Sequence, residues 1–238
     1  TVFYVQSATG SIPIATTSAS ASVYRAHLHL DDWEDQTTAD VNAAIDASLR
    51  GDVLVSQDLV ASNTAMFVPC YASTSADTLA VTIDGWTTGT SSYIKIYTPV
   101  SASEVGESQR HSGEWSDEKY RLVVSDASSI MIEDPQVRID GLQIRTTSPT
   151  GVNRSGIDIY HVGAQGGYIK ISHNIIRGSN STSYNQRGIF NRDDIYRPDV
   201  SIINNIIYDI YPVNTSANLI NNSYGKNVYI YNNTTSLK

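Results

Sequence analysis

Apolar and polar positions alternate with a period of two along most of this chain, in short bursts separated by turns. Thr1 to Val5 reads as a short strand, and a Ser/Thr/Ala-rich loop runs from Ser7 to Ser22. Tyr24 to Leu30 (YRAHLHL) alternates again. The period then changes. Asp40, Val41, Ala44, Ile45 and Leu49 fall near helical spacing, Thr37 or Thr38 stands as an N-cap, and Gly51 follows as a stop. This predicts one amphipathic helix over Ala39 to Leu49, with Asp52 to Val55 (DVLV) entering a strand. From Thr78 onward the bursts come in close order as LAVTID, YIKIYTPV, YRLVVSD, SIMIED and VRIDGLQI. A polar stretch from Ser101 to Lys119 interrupts them and reads as a long surface loop. Nothing alternates strand and helix afterwards, which argues against a doubly wound α/β fold.

After Val137 the bursts become a repeat. Ile139-Asp-Gly-Leu-Gln-Ile144, Ile171-Ser-His-Asn-Ile-Ile176, Ile202-Ile-Asn-Asn-Ile-Ile207 and Ile230-Tyr-Asn-Asn-Thr-Thr235 align without gaps, their starts 32, 31 and 28 residues apart. A second set lies between them: Gly156-Ile-Asp-Ile159, Gly188-Ile-Phe-Asn191 and Asn218-Leu-Ile-Asn221. Inward apolar residues of such strands stack on the same position one coil away. The fourth position of the first set is Leu142, then Asn174, Asn205 and Asn233. Asn at a bend tolerates unusual dihedrals, and its amide reaches the equivalent amide one coil on. Each such bond is worth about 1 kcal/mol net, and a lone buried amide would cost more than that. Stacked asparagines therefore belong in consecutive coils, and Leu142 breaks the series, which puts the strictly regular solenoid from about Ile157.

These residues predict an all-β, right-handed parallel β-helix with a short N-terminal capping helix. Residues 1–77 form the strand, loop and helix cap, and 78–238 the solenoid, with regular coils from about 137, in one continuous domain. The alternative weighed is an irregular β-sandwich rich in Ile and Asn. The two repeat sets resemble the pectate-lyase-like parallel β-helix proteins, which read Gly-Ile-x-Ile followed by Ile-x-x-Asn-x-Ile. The order VTIDG, YIKIYTP, HSGEW and KYRLV is also similar to uncharacterised β-helix proteins of phage and environmental sequences.

Composition narrows the partners. The 238 residues carry a net charge of −8 with only 17% charged residues, so Ser, Thr and Asn supply most of the polarity. No basic stripe is visible to displace counterions from phosphates, which argues against nucleic acid. Hydroxyls and amides suit sugars, tight turns or water equally. The 15 Tyr suit a half-wet β surface. Cys70 is the single cysteine, so neither an intrachain disulfide nor a Cys-rich metal motif is available. No apolar run is long enough to cross a membrane. The chain opens at Thr1 without Met, which implies a start removed upstream. It stops at Lys238 directly after a rung, which implies further chain or a neighbouring subunit over that end.

The resemblance implies polysaccharide chemistry. Lyases of this fold use Ca²⁺ held by several carboxylates plus an Arg or Lys base, and hydrolases use clustered Asp. One carboxyl gives a proton while another acts as base or nucleophile. Fragments of such a site are present: Asp158 after Gly156-Ile157, with His161 beyond it, and Arg192, Asp193 and Asp194 one coil later. Tyr168-Ile-Lys170 is similar to a substrate clamp. The order of motifs departs from the polygalacturonase pattern, and the Asn-Thr-Asp element is missing. Turn-capping or solvated carboxylates therefore carry more weight. His111, Glu114, Trp115, Asp117 and Glu118 form a polar loop with an aromatic, a combination that can stack on and bond to a sugar, against the plainer reading of a loop folded on the flank. His27 and His29 have metal-competent spacing but no third ligand is visible, and no metal is assigned. His173 reads as a surface residue. Turns 146–154, 178–186 and 208–217 should line one side of the solenoid.

The expectation is a non-catalytic structural or attachment module, such as a decoration, fibre or tailspike-like part, on an extracellular or virion surface. Its partners would be protein subunits of a larger assembly or copies of itself, with polysaccharide a further contact. The alternative is a polysaccharide lyase or glycoside hydrolase.

Overall fold

The computed structural model describes residues 24–101, 108–149, 152–160, 162–163, 167–179, 186–210 and 219–237. Its strands build three parallel sheets that the chain visits in turn, making a right-handed parallel β-helix. The first sheet holds β1 (Met66–Pro69), β3 (Ile94–Tyr97), β6 (Val137–Asp140), β9 (Tyr168–Ser172), β12 (Asp199–Ile203) and β15 (Val228–Tyr231). The second holds β4 (Arg121–Ser125), β7 (Gln143–Thr147), β10 (Ile175–Arg177), β13 (Ile206–Ile210) and β16 (Thr234–Leu237). The third holds β2 (Val81–Ile83), β5 (Ile130–Ile132), β8 (Arg154–Ile159), β11 (Gln186–Asn191) and β14 (Ile220–Asn222). The first coil has no strand in the second sheet. Asp77 stands in for it, donating its N–H to Arg121 O at 3.0 Å and accepting from Val123 N at 2.7 Å.

The core is a stack of identical positions. Ile96, Ile139, Ile171, Ile202 and Ile230 lie in one register column of the first sheet. Leu122, Ile144, Ile176 and Ile207 do the same in the second, and Ile130, Ile157, Ile189 and Ile220 in the third. Burying one such side chain contributes roughly 1.5–3 kcal/mol, so every turn of the sequence repeat adds its own share of stability. Ile230, on the last described rung, is 47% exposed where Ile202 is at 1%.

The asparagine ladder forms in the predicted register at the corner between the first and second sheets. Asn174 Nδ2 donates to Asn205 Oδ1 at 3.0 Å, and Asn205 Nδ2 to Asn233 Oδ1 at 3.0 Å. The strained residue is not the ladder Asn but the one before it. Gly141, His173, Asn204 and Asn232 take φ of 84°, 55°, 57° and 51°. Leu142 does not end the regular structure either. Its N–H donates to Asn174 Oδ1 at 2.9 Å and so closes the ladder's upper end. Strand pairing continues from there back to Met66, ahead of both Ile157 and Thr78. The repeat glycines are fixed by space: a Cβ on Gly156 would lie 2.5 Å from Ile176 Cγ2 and 2.8 Å from the Gly188 carbonyl oxygen.

The N-terminal cap differs from the prediction. The helix is α1, Leu30–Glu34, only five residues long, and 47–53 is a 3-10 segment. Residues 39–46 are not helical because short side chains compete for the backbone. Asn42 Oδ1 accepts from Ala44 N at 3.0 Å, and Asp46 Oδ1 from Ser48 N at 2.9 Å. Neither 24–29 nor 52–55 forms a strand, and the strand expected at Thr1 to Val5 lies outside the described residues. Helix α1 sits on the first coils, with Trp33 stacked on Trp86 at 5.2 Å between ring centroids. Asp77 ties it there, accepting from Leu30 N and His29 Nδ1, each at 2.9 Å.

Candidate functional site

The carboxylates singled out from the sequence lie on and beside the outer face of the third sheet. Asp158 points outward from β8, in a column with Met131, Phe190 and Asn221. The residue is 5% exposed, its carboxylate accepting from Arg192 Nε at 2.9 Å and Ser128 Oγ at 3.4 Å. The Arg192 guanidinium lies 3.8 Å over the Tyr160 ring, and that of Arg187 lies 4.3 Å over Phe190. Burial lowers the proton affinity of Arg187; Asp158 works against this and Arg192 with it. The buried Nε atoms of Arg187 and Arg154 here, and of Arg145 on the second sheet, have no hydrogen-bond partner among the described residues. Arginines thus gather on this face, and Asp158 is already paired.

Asp193 is fully buried at the turn after β11. Oδ2 accepts from Val162 N at 2.7 Å, and Oδ1 from Ile195 N at 3.1 Å and Tyr196 N at 2.9 Å. Three backbone N–H groups thus occupy both oxygens, and the residue organises its turn. Asp194 is exposed, and His161 lies outside the described residues. Lys170 of the expected clamp sits on the first sheet, so the structure does not bring it to Asp158. Of turns 146–154, 178–186 and 208–217, the residues 150–151, 180–185 and 211–218 lie outside the described residues; the strands that flank each turn belong to the second and third sheets.

The loop before β4 folds onto the corner that carries the ladder. Gln143 Oε1 accepts from Ser116 N at 2.6 Å, and Gln143 Nε2 donates to Ser116 O at 2.8 Å. His111 Nε2 bonds to His173 O at 2.8 Å. Trp115 is half-buried and donates from Nε1 to Asp117 Oδ1 at 3.2 Å. Asp117 also pairs with Arg121 at 3.3 Å, while Glu114 is exposed. Next to this loop lies a polar knot that sequence reasoning missed. Asp140 meets Arg110 Nη2 at 2.7 Å, His173 Nδ1 at 3.0 Å and Ser172 Oγ at 3.0 Å. Burial alone would raise its pKa, but Arg110, His173 and Ser172 outweigh burial and hold the carboxyl below its usual range. The other His173 nitrogen meets Asn204 Nδ2 at 3.1 Å. Burial first, and Arg110 after it, push His111 below its ordinary value. The knot locks the loop to the solenoid and spends its donors and acceptors doing so.

A cleft of about 810 Å³ opens beside the cap, lined in part by His29, Trp33, Phe67, Asp77 and Tyr120. Cys70 also borders it, but burial pushes its thiol up and keeps it protonated. His27 and His29 point to different partners, Asp40 O and Asp77. Among the described residues no three His, Cys, Asp or Glu side chains converge to hold a metal ion. Comparison with family models, with curated proteins and with solved structures returned no match.

Proposed function

We propose that this chain is a non-catalytic structural and attachment module of an extracellular or virion assembly, a β-helix whose faces engage protein subunits and glycan. Kinship with pectate-lyase-like solenoids, of the kind found in phage, belongs to the same proposal and rests on the Gly-Ile-x-Ile and Ile-x-x-Asn repeats. The observation that carries the reading is Asp193, whose two oxygens serve three backbone N–H groups. A carboxylate so used is poorly placed to shuttle a proton, and Asp158 is charge-paired to Arg192. Glycosidic cleavage asks for two available carboxyls, which this pair does not offer. The lyase or hydrolase reading therefore has less support.

The test is a panel of acidic and neutral polysaccharides incubated with the full chain and assayed for new reducing ends and unsaturated products. The expected result is no product, with Asp193→Ala lowering the melting temperature. Cleavage that Asp158→Ala abolishes while the fold and glycan binding persist would overturn the reading.

A further inference from the structure

The outward face of the first sheet carries a column of a different kind. In strict register, Phe67, Lys95, Arg138, Lys170, Ser201 and Tyr229 stack on successive rungs. Rungs lie roughly 4.8 Å apart, so the column is roughly 24 Å long and its three cations span roughly 10 Å. Like charges held side by side on neighbouring strands repel. A chain of net charge −8 has carboxylates to spare, yet it gathers these cations.

Local neutralisation is incomplete. Asp140, in the adjacent column, reaches Lys95 at 3.8 Å but sits closer to Arg110, at 2.7 Å. Arg138 lies 3.5 Å over the ring of Tyr93. Among the described residues, neither Arg138 nor Lys170 has a carboxylate within ion-pair distance, and Asp199 at the sheet margin is bonded to Asn227. Aromatic rings close both ends of the column. Phe67 is 48% exposed and meets Tyr93 and Tyr97 edge-on, at 5.8 and 6.2 Å. At the far end Tyr229 and Tyr231 are stacked at 6.4 Å and are 45% and 55% exposed.

The shape selects the ligand. A track one side chain wide and five steps long fits a linear polymer along the solenoid axis better than a flat bilayer. Cations between exposed rings suit acidic groups between sugar faces, since a ring face packs on an aromatic face. A peptide of acidic residues has nothing to lay on those rings. Nucleic acid would meet only three cations on a chain that otherwise repels it. We propose that this face binds a single strand of anionic glycan, carboxylated or sulfated. Its acidic groups meet Lys95, Arg138 and Lys170, and its rings meet Phe67 and Tyr229. The proposal rests on the attachment reading in treating the glycan as bound and not turned over.

The test measures equilibrium binding of the full chain to polygalacturonate, dextran sulfate, neutral dextran, polyglutamate and single-stranded poly-dT at matched low salt. At least one anionic glycan should bind, the carboxylated and sulfated arms telling the two chemistries apart. Neutral dextran and polyglutamate should not bind. The Arg138→Gln/Lys170→Gln double variant should lose about tenfold or more in affinity, and its log K against log salt slope should flatten by about two. Tyr229→Ala should weaken binding severalfold with the slope unchanged. Circular dichroism and melting temperature verify the fold of each variant. Unchanged affinity in the double variant, no anionic glycan bound, or poly-dT or polyglutamate bound as tightly would each overturn the proposal. Cleavage of the bound glycan would overturn the non-catalytic reading and leave the track standing.

Discussion

Asn205 shows what one residue does in this scaffold. Its Nδ2 donates to Ile171 O at 3.0 Å and to Asn233 Oδ1, and its Oδ1 accepts from both the backbone and the side chain of Asn174. Asn205→Ala removes these side-chain bonds from a corner that is almost dry; Asn174 Nδ2 keeps Ile139 O and Asn233 Oδ1 keeps the backbone N–H of residue 205, while the Asn174 N–H loses its acceptor. With buried unsatisfied groups costing about 1–3 kcal/mol each, the substitution should destabilise by about 3 kcal/mol, read from denaturant midpoints. A loss under about 0.5 kcal/mol would mean that water replaces the amide there. Gly188 makes the same case by space. A Cβ there would collide with the Leu219 carbonyl oxygen and with Ile207 Cγ2, so Gly188→Ala should lower the melting temperature. Both positions were legible in the sequence, because each repeats at one point of the coil. The strained residue was misassigned by one place, since the repeat alone does not say which residue of the pair turns the corner.

Among the elements, the cap was the least legible. Its helix of five residues is too short to show a period, while the apolar spacing over 39–49 imitated one. What holds α1 is its contacts: the Trp33–Trp86 stack, the Asp77 brace and an acidic cluster beneath. In that cluster Glu34 Oε1 accepts from Trp86 Nε1 at 3.1 Å, and Asp134 Oδ2 accepts from Trp86 N at 2.8 Å. Burial pushes Asp134 up to about 7, with Asp84, Glu34 and Glu133 adding to the rise against the Trp86 N–H. Glu34 is raised as well, burial again the main cause. A carboxyl whose folded value lies above its unfolded one takes up a proton on folding. Its penalty is therefore full above about pH 7 and is relieved as pH falls toward its unfolded value near 4. The cap should become more stable from pH 8 to pH 5, by at most about 2–3 kcal/mol if Asp134 acts alone. His111, lowered by burial, works in the opposite sense below its unfolded value near 6.5. The clean measurement is thus a difference. Asp134→Asn should stabilise the chain at pH 8 and flatten its stability curve between pH 8 and 5. A variant curve parallel to the parent would show that Asp134 does not titrate in that window.

At the scale of the whole molecule, a solenoid touches itself only between neighbouring coils, and its stability is close to a sum along one axis. That is why the fold could be read from four aligned segments around Ile139, Ile171, Ile202 and Ile230. It is also why the cationic track was missed. Its members precede those very isoleucines, but a single Lys or Arg per period looks like ordinary surface until the register puts them side by side. The same one-dimensional logic makes protection local. The first coils are covered by Trp33 and Trp86, each nearly buried, whereas the rung of β15 exposes Tyr229, Ile230 and Tyr231. Amide exchange should therefore be graded along the axis, fastest in β14 to β16, slowest through β6 and β9, and intermediate under the cap. Trp33→Ala should raise exchange in β2 and β3, which lie under or next to the cap, and leave β12, three rungs beyond β3 in the first sheet, at its parent rate. Uniform loss of protection in β12 and β3 together would mean that the coils unfold as one cooperative block, so that contacts spanning several rungs outweigh those between neighbours.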